Sequence, residues 1–150
     1  MSPICYLSRV AHFSAAHRLH NPSLSAETNR QVFGKCNHPG GHGHNYIIEV
    51  VVRGPVNSET GMLISIDDLK QWIKSAVLDI MDHRNIDQDI AYFKARPSTA
   101  ENIAVFSWIR LSQVMPPGLL HQVIVSETIK NKASFSGEGL TDKDIEACIV

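Results

Sequence analysis

The amino-acid sequence predicts an α+β domain in which two strands, two helices and two further strands follow one another, the helices covering one face of the sheet. Three observations carry that expectation. Strand-like alternation stands at both ends of the chain, helical spacing fills the middle, and Gly-Pro or Pro-Pro-Gly breaks separate them. A length of 150 residues suits one domain. Its core is expected over about residues 4–138, with the polar stretch 140–150 as a mobile tail.

Each element has its own signal. Residues 4–17 are rich in small and β-branched side chains, with Val10, His12 and Ser14 on one strand face and Ala11, Phe13 and Ala15 on the other. The polar stretch Asn21 to Asn29 is expected to carry a short helical turn before Phe33-Gly34. A second strand, His42 to Arg53, alternates Tyr46, Ile48, Val50 and Val52 with Ile47, Glu49 and Val51, so both of its sides are expected to be covered. In the first helix Leu69, Trp72, Ile73, Ala76, Val77 and Ile80 recur at helical spacing after Ser65-Ile66-Asp67-Asp68. The second begins at Ser98-Thr99-Ala100-Glu101, which has the form of a capping box, and stops at Pro116-Pro117-Gly118. Strands from His121 to Thr128 and from about Lys132 to Glu138 then make a hairpin across Lys130-Asn131.

Composition narrows the functional classes. Hydrophobic content of 43% with 19% charged residues is that of a soluble globular chain. Fourteen basic against fifteen acidic side chains leave no electrostatic footprint for nucleic acid or a membrane surface. Cys5, Cys36 and Cys148 are odd in number and widely spaced, which suits free thiols and a cytoplasmic location. The N-terminus has no basic-then-apolar leader pattern, and no run of ~20 apolar residues is long enough to span a bilayer.

Histidine carries the chemistry. Six of the eight lie between residues 12 and 44, where even spacing would leave about two of this commonest metal ligand. In an extended segment His42 and His44 project to one face and can aim ring nitrogens at a common point. Gly43 between them permits close backbone approach. His12, His17 and His20 are the local candidates for a third ligand, His17 standing where the first strand should end. Three nitrogen ligands without a converging cysteine would leave a fourth position open, as catalytic metal requires.

Cys36 follows Lys35 in a Gly/Asn/Pro-rich loop beside that prospective cation, a setting that favours a reactive sulfur over an inert buried one. Asp82 and His83 end the first helix as an adjacent carboxylate and imidazole, which suits either a helix C-terminus or proton transfer. Glu127, at the end of an apolar strand, is either a solvated strand end or an acceptor for an amidine-like N–H edge. Glu101 has a structural reason in the capping box.

These residues act together in one resemblance. Cys36-Asn37-His38-Pro39-Gly40-Gly41-His42-Gly43-His44-Asn45-Tyr46 resembles the first hallmark motif of the 6-pyruvoyl-tetrahydropterin synthase family, C-N-N-x-x-G-H-G-H-N-Y, with His38 where Asn is usual. Asp82-His83-Arg84-Asn85-Ile86-Asp87-Gln88-Asp89 is similar to its second, D-H-K-N-L-D-x-D. Phe13-Ser14-Ala15-Ala16-His17-Arg18-Leu19, Ser98-Thr99-Ala100-Glu101-Asn102 (Ala100 replacing a threonine of some relatives) and Ser126-Glu127-Thr128 follow in the expected order. The likeness runs from about residue 8 to about 138.

The resemblance implies a T-fold: an antiparallel four-stranded sheet with two helices on one face, three copies closing a twelve-stranded barrel and two barrels stacking into a homohexamer. It implies a lyase of tetrahydrobiopterin synthesis that converts 7,8-dihydroneopterin triphosphate to 6-pyruvoyl-tetrahydropterin and releases triphosphate. His17, His42 and His44 would bind zinc, Cys36 would take protons from carbon, and Asp82 and His83 would assist it. Glu127 would anchor the pterin, with Thr99 and Glu101 as further substrate contacts, in sites between subunits. Lys35, Arg84 and Arg96 are candidates for holding the triphosphate. The rivals are the sister 6-carboxy-tetrahydropterin synthase of deazaguanine synthesis, and a non-catalytic pterin- or metal-binding module on the same scaffold.

Overall fold

A computed structural model describes residues 1–148. In chain order the elements are β1 (Ile4–His17), α1 (Ala26–Phe33), β2 (His42–Pro55), α2 (Ile66–Ile73), α3 (Asp79–Met81), β3 (Arg84–Asn85), α4 (Ile86–Asp89), α5 (Ala100–Val114), β4 (Leu120–Ser126), β5 (Lys132–Phe135) and α6 (Asp142–Ala147). Short 3-10 turns cover Gly34–Asn37 and Ala91–Lys94.

The sheet has five strands in the order β3-β1-β2-β4-β5, a correction to the expected four. β1, β2, β4 and β5 are antiparallel to their neighbours, whereas β3 runs parallel to β1 and meets it only at Ala15 and Ala16. Two residues of strand leave no periodicity to read, so β3 is visible only through tertiary pairing. The long β1–β2 ladder runs in unbroken register from Ile4 opposite Pro55 to His17 opposite His42. That register brings the histidine-bearing ends of both strands together.

Helices α2 and α5 cover the face that carries Phe13, Tyr46, Ile48, Val50, Val52, Val123 and Val125, all buried. Phe13 and Tyr46 stack with ring centroids 4.9 Å apart, which fixes the inner face beside the histidines. The opposite face of β2 is only half-buried at Ile47, Glu49 and Val51, so within one chain a single side of the strand is covered. A π-helical turn, Lys74–Leu78, joins α2 to α3, and beyond it Met81 rather than Ile80 reaches the core.

Helix α5 starts one residue later than the capping-box pattern predicts. Thr99 is the N-cap, its hydroxyl accepting from the Asn102 N–H, which releases Ser98 for the site described below.

The stretch from Leu140, expected to be mobile, instead folds as far as it is described, while residues 149–150 of that tail lie outside the described residues. Thr141 and Asp144 form a reciprocal capping box at the start of α6, and Asp144 accepts from Arg96 at 3.1 Å. Arg96 also lies over the Tyr92 ring, 4.4 Å from its centroid. Hydrogen bonds from Thr141, then Arg96, hold the Asp144 carboxyl below the usual carboxylate range. A lowered folded-state value means that the contribution is complete above the unfolded value of ~3.9 and fades as pH falls through the folded one. Asp144→Ala is therefore expected to cost about 1 kcal/mol at neutral pH, measured by urea unfolding. The difference from the parent should shrink in acid.

Candidate active site

Three imidazoles meet where β1 ends and β2 begins. Ring centroids of His17, His42 and His44 lie 4.6, 5.1 and 4.9 Å apart in the three pairings, and their nearest ligand nitrogens all fall within 4.8 Å of one another. The i, i+2 spacing puts His42 and His44 on the inner face of β2, and the register sets His17 directly across from His42. Of the three local candidates for a third ligand, the structure selects His17. His12 is exposed on the outer face of β1, and the His20 Nδ1 is engaged by the Asn37 amide at 2.9 Å.

Close backbone approach is needed at Gly41 rather than at Gly43. Gly41 has φ +70°, and a Cβ there would stand 2.9 Å from the His17 carbonyl oxygen. Any other residue at 41 would push the two strand ends, and the imidazoles on them, apart.

The environment of His17 decides its tautomer. Its Nδ1–H donates to the Ser98 carbonyl at 2.8 Å, so the lone pair sits on Nε2. The Ser98 hydroxyl in turn donates to Asp87 at 2.6 Å, and the other Asp87 oxygen accepts from the Arg18 N–H at 2.6 Å. Asp87 and Ser98 thus hold His17 in place from residues far along the chain. Asp87 was visible only as part of a motif, and Ser98 read as a helix cap. Tyr46, fully buried, places its hydroxyl 3.4 Å from His17 Nδ1, and burial pushes its ionisation up, so it stays a neutral phenol.

The donor set fits a metal ion. His44 Nε2 is buried without a hydrogen-bond partner, a costly state that a bound cation relieves. Burial lowers the pKa of His17 and of His44, against the opposing charge of Glu127, so both rings are neutral and hold a free lone pair near neutral pH. Glu127 faces the cluster, one carboxylate oxygen 3.5 Å from His44 Nε2 and the other 4.0 Å from His17 Nε2.

The remaining sequence candidates are arranged around this centre without all joining it. Cys36 is half-buried on the Gly34–Asn37 turn and lies outside the cluster of ligand atoms. Its carbonyl accepts from the Leu19 N–H at 3.0 Å, which ties the turn to the segment following His17. Asp82 and His83 sit on the outer edge of β1. Asp82 Oδ1 accepts from the Ser14 N–H at 2.9 Å and from His83 Nδ1 at 3.0 Å, and the His83 N–H donates to the Ser14 carbonyl at 2.6 Å. His83 adopts φ +62°, a left-handed conformation uncommon outside glycine, with its ring 83% exposed. A shallow depression of about 480 Å³, lined by His44, His83 and Arg84 among others, runs along this edge. Thr99 caps α5, next in sequence to the Ser98 that holds His17, and Glu101 is exposed on the first turn of that helix.

Known proteins resemble this chain in sequence and in fold. The sequence pattern of the family described as 6-pyruvoyl tetrahydropterin synthase matches residues 6–138. A Drosophila melanogaster protein named 6-pyruvoyl tetrahydrobiopterin synthase is 49% identical over 137 residues, covering 90% of this chain and 81% of its own. A Homo sapiens protein of that name is 46% identical over 132 residues, with 88% and 91% covered. The solved Caenorhabditis elegans 6-pyruvoyl tetrahydropterin synthase superposes with a TM-score of 0.89 at 45% identity, over 91% of this chain and 98% of that one. Sequence pattern, near-full-length identity and superposed backbone agree, and the chain belongs to the 6-pyruvoyl tetrahydropterin synthase family.

Proposed function

We infer that this protein is a zinc-dependent lyase of tetrahydrobiopterin synthesis, which converts 7,8-dihydroneopterin triphosphate to 6-pyruvoyl-tetrahydropterin with loss of triphosphate. The observation that carries the reading is the three-imidazole cluster whose His17 tautomer is set by Ser98, in a chain of this family. When bound, zinc supplies Lewis-acid stabilisation of the negative charge that develops on the substrate's side-chain oxygens.

The protein's own groups do the rest. His17, His42 and His44 hold the ion, with Asp87 and Ser98 orienting the first of them. Cys36 takes the carbon-bound proton at Sγ, being soft, little hydrated and mounted on a turn pinned beside the His17 segment. Asp82 orients His83, and that pair relays protons. Glu127 accepts the N–H edge of the pterin, and Thr99 and Glu101 border the ring.

His83 points outward from an exposed sheet edge, which suits a site completed between subunits. The outer edge of β1 from Ile4 to Ser14 and that of β5 carry no strand neighbour among the described residues, and pairing them closes a barrel. Light scattering should give a homohexamer of about 100 kDa from the 16.6 kDa chain. A cytoplasmic location fits the free thiols, and among the described residues no helix is long and apolar enough to cross a membrane.

The test is product analysis. Zinc-loaded protein given 7,8-dihydroneopterin triphosphate is expected to yield 6-pyruvoyl-tetrahydropterin and inorganic triphosphate in equal amounts by mass spectrometry. A 6-carboxy product assigns the sister reaction instead, and an unchanged substrate rules out the enzyme.

A further inference from the structure

A second cavity, of about 340 Å³, lies beside the Cys36 turn and is not used by the chemistry above. Arg18, Arg30, Lys35 and His38 line it, and no Asp or Glu contributes to its wall. In a chain of net charge −1, three permanent cations in one small recess without an acid is an unbalanced arrangement. Among the described residues none of the three side-chain cations has a carboxylate within 4.0 Å of its charged nitrogens, Asp87 reaching Arg18 only at the backbone N–H. Their positive charge is available to a ligand.

The recess is aimed rather than merely basic. Arg18 Nε donates to the Asn37 carbonyl at 2.8 Å, which ties the guanidinium to the turn that forms one wall of the recess. His38 Nδ1 accepts from the Gly40 N–H at 3.0 Å, so the neutral ring carries its proton on Nε2 and donates from there. This donor stands where the family motif has Asn. Arg18 follows the ligand His17, and Lys35 precedes Cys36. The Leu19–Cys36 backbone bond at 3.0 Å and the bond from the Asn37 amide to the Leu19 carbonyl at 2.8 Å stitch the two segments together.

We propose that this cavity is the polyphosphate subsite: Arg18, Arg30, Lys35 and His38 clamp the triphosphate of the substrate and hold it as it leaves. The proposal rests on the reading given under Proposed function. Other cations are less suited. Arg96 is committed to Asp144 and to the Tyr92 ring, and Arg84 lines its depression with only the imidazoles of His44 and His83 as further basic groups. A leaving group with several negative charges needs several charge-assisted donors, which the recess beside Cys36 gathers without an acid in its wall, whereas the cations Arg9, Lys70 and Lys74 share their cavity with Asp67, Asp79 and Asp82.

The experiment measures binding of inorganic triphosphate to zinc-loaded protein by calorimetry, alongside steady-state turnover. Arg30→Ala/Lys35→Ala, both exposed positions, is expected to weaken triphosphate at least tenfold, to flatten the salt dependence of binding and to raise KM more than it lowers kcat. Binding of unphosphorylated neopterin should stay unchanged. His38→Asn should weaken triphosphate by a smaller factor. If the double variant binds triphosphate as tightly as the parent while the parent converts substrate, the subsite is overturned and the enzymatic reading stands. If the parent binds triphosphate, the variant does not, and neither converts substrate, the subsite holds and the enzymatic reading falls.

Discussion

Replacing His44 with alanine is expected to leave the protein folded, free of zinc and at least 10³-fold slower. The three imidazoles are placed to hold one ion between them, and losing one leaves two donors and the nearby Glu127 carboxylate. Two imidazoles bind zinc far less tightly than three. The Lewis-acid contribution that disappears is several kcal/mol, or about 10³-fold in rate. Elemental analysis should fall from one zinc per chain to almost none, and His42→Ala should behave alike. A second readout does not depend on activity: zinc should raise the melting temperature of the parent, through preferential binding to the folded state, and leave that of His44→Ala unmoved. Asp87→Asn should lie between, losing about 10–100-fold in zinc affinity because it acts on His17 through Ser98. Acid should release the ion, since protonated imidazole has no lone pair. Burial lowers the pKa of His17 and His44, so loss of zinc should be complete only well below the free-imidazole value of ~6.5. A parent protein that binds no zinc at neutral pH, or a His44→Ala variant that keeps it, would sink the metal assignment.

The parts of this centre that could be read in the sequence are those with a local period. Alternation in β1 and β2 sets which residues face inward, and H-x-H on a strand places two donors on one face without any knowledge of the fold. The choice of His17 over His12 and His20 needed the register of β1 on β2, a tertiary quantity. Asp87 and Ser98 were harder still. Each supports His17 from more than sixty-five residues away, and no spacing rule links a short helix after β3 to the residue before the N-cap of α5. The same holds for Asp82, whose partner is a backbone N–H on β1. In the fold, the sequence signals missed β3 because it is two residues long, and misplaced the start of α5 by one residue because Ser98 and Thr99 are both good caps. For α6 a signal existed: Thr141-x-x-Asp144 is a capping box with Asp in place of Glu, hidden by the polar composition around it.

Removing the Cys36 sulfur is expected to have the opposite pairing of effects, with zinc retained and catalysis lost. Cys36 lies outside the cluster of ligand atoms and sits on a turn held by backbone bonds, so Cys36→Ala alters neither the metal's donors nor the loop that carries it. General-base catalysis contributes about 10²–10⁴-fold, and turnover should fall by that factor with zinc content unchanged. Cys36→Ser should be nearly as slow, because a hydroxyl is a far poorer proton acceptor than a thiolate at neutral pH. The other two thiols serve as internal controls. Cys5 is exposed at the far end of β1, so Cys5→Ala should retain full activity and leave alkylation of the enzyme still inactivating. Cys148 is buried and its thiol is pushed up to about 11, so it should resist iodoacetamide while the protein is folded. Inactivation should therefore track modification of Cys36 alone, which peptide mapping can count. A Cys36→Ala protein that turns over at the parental rate would move the base elsewhere, and Asp82 with the outward-facing His83 would be the pair to test next.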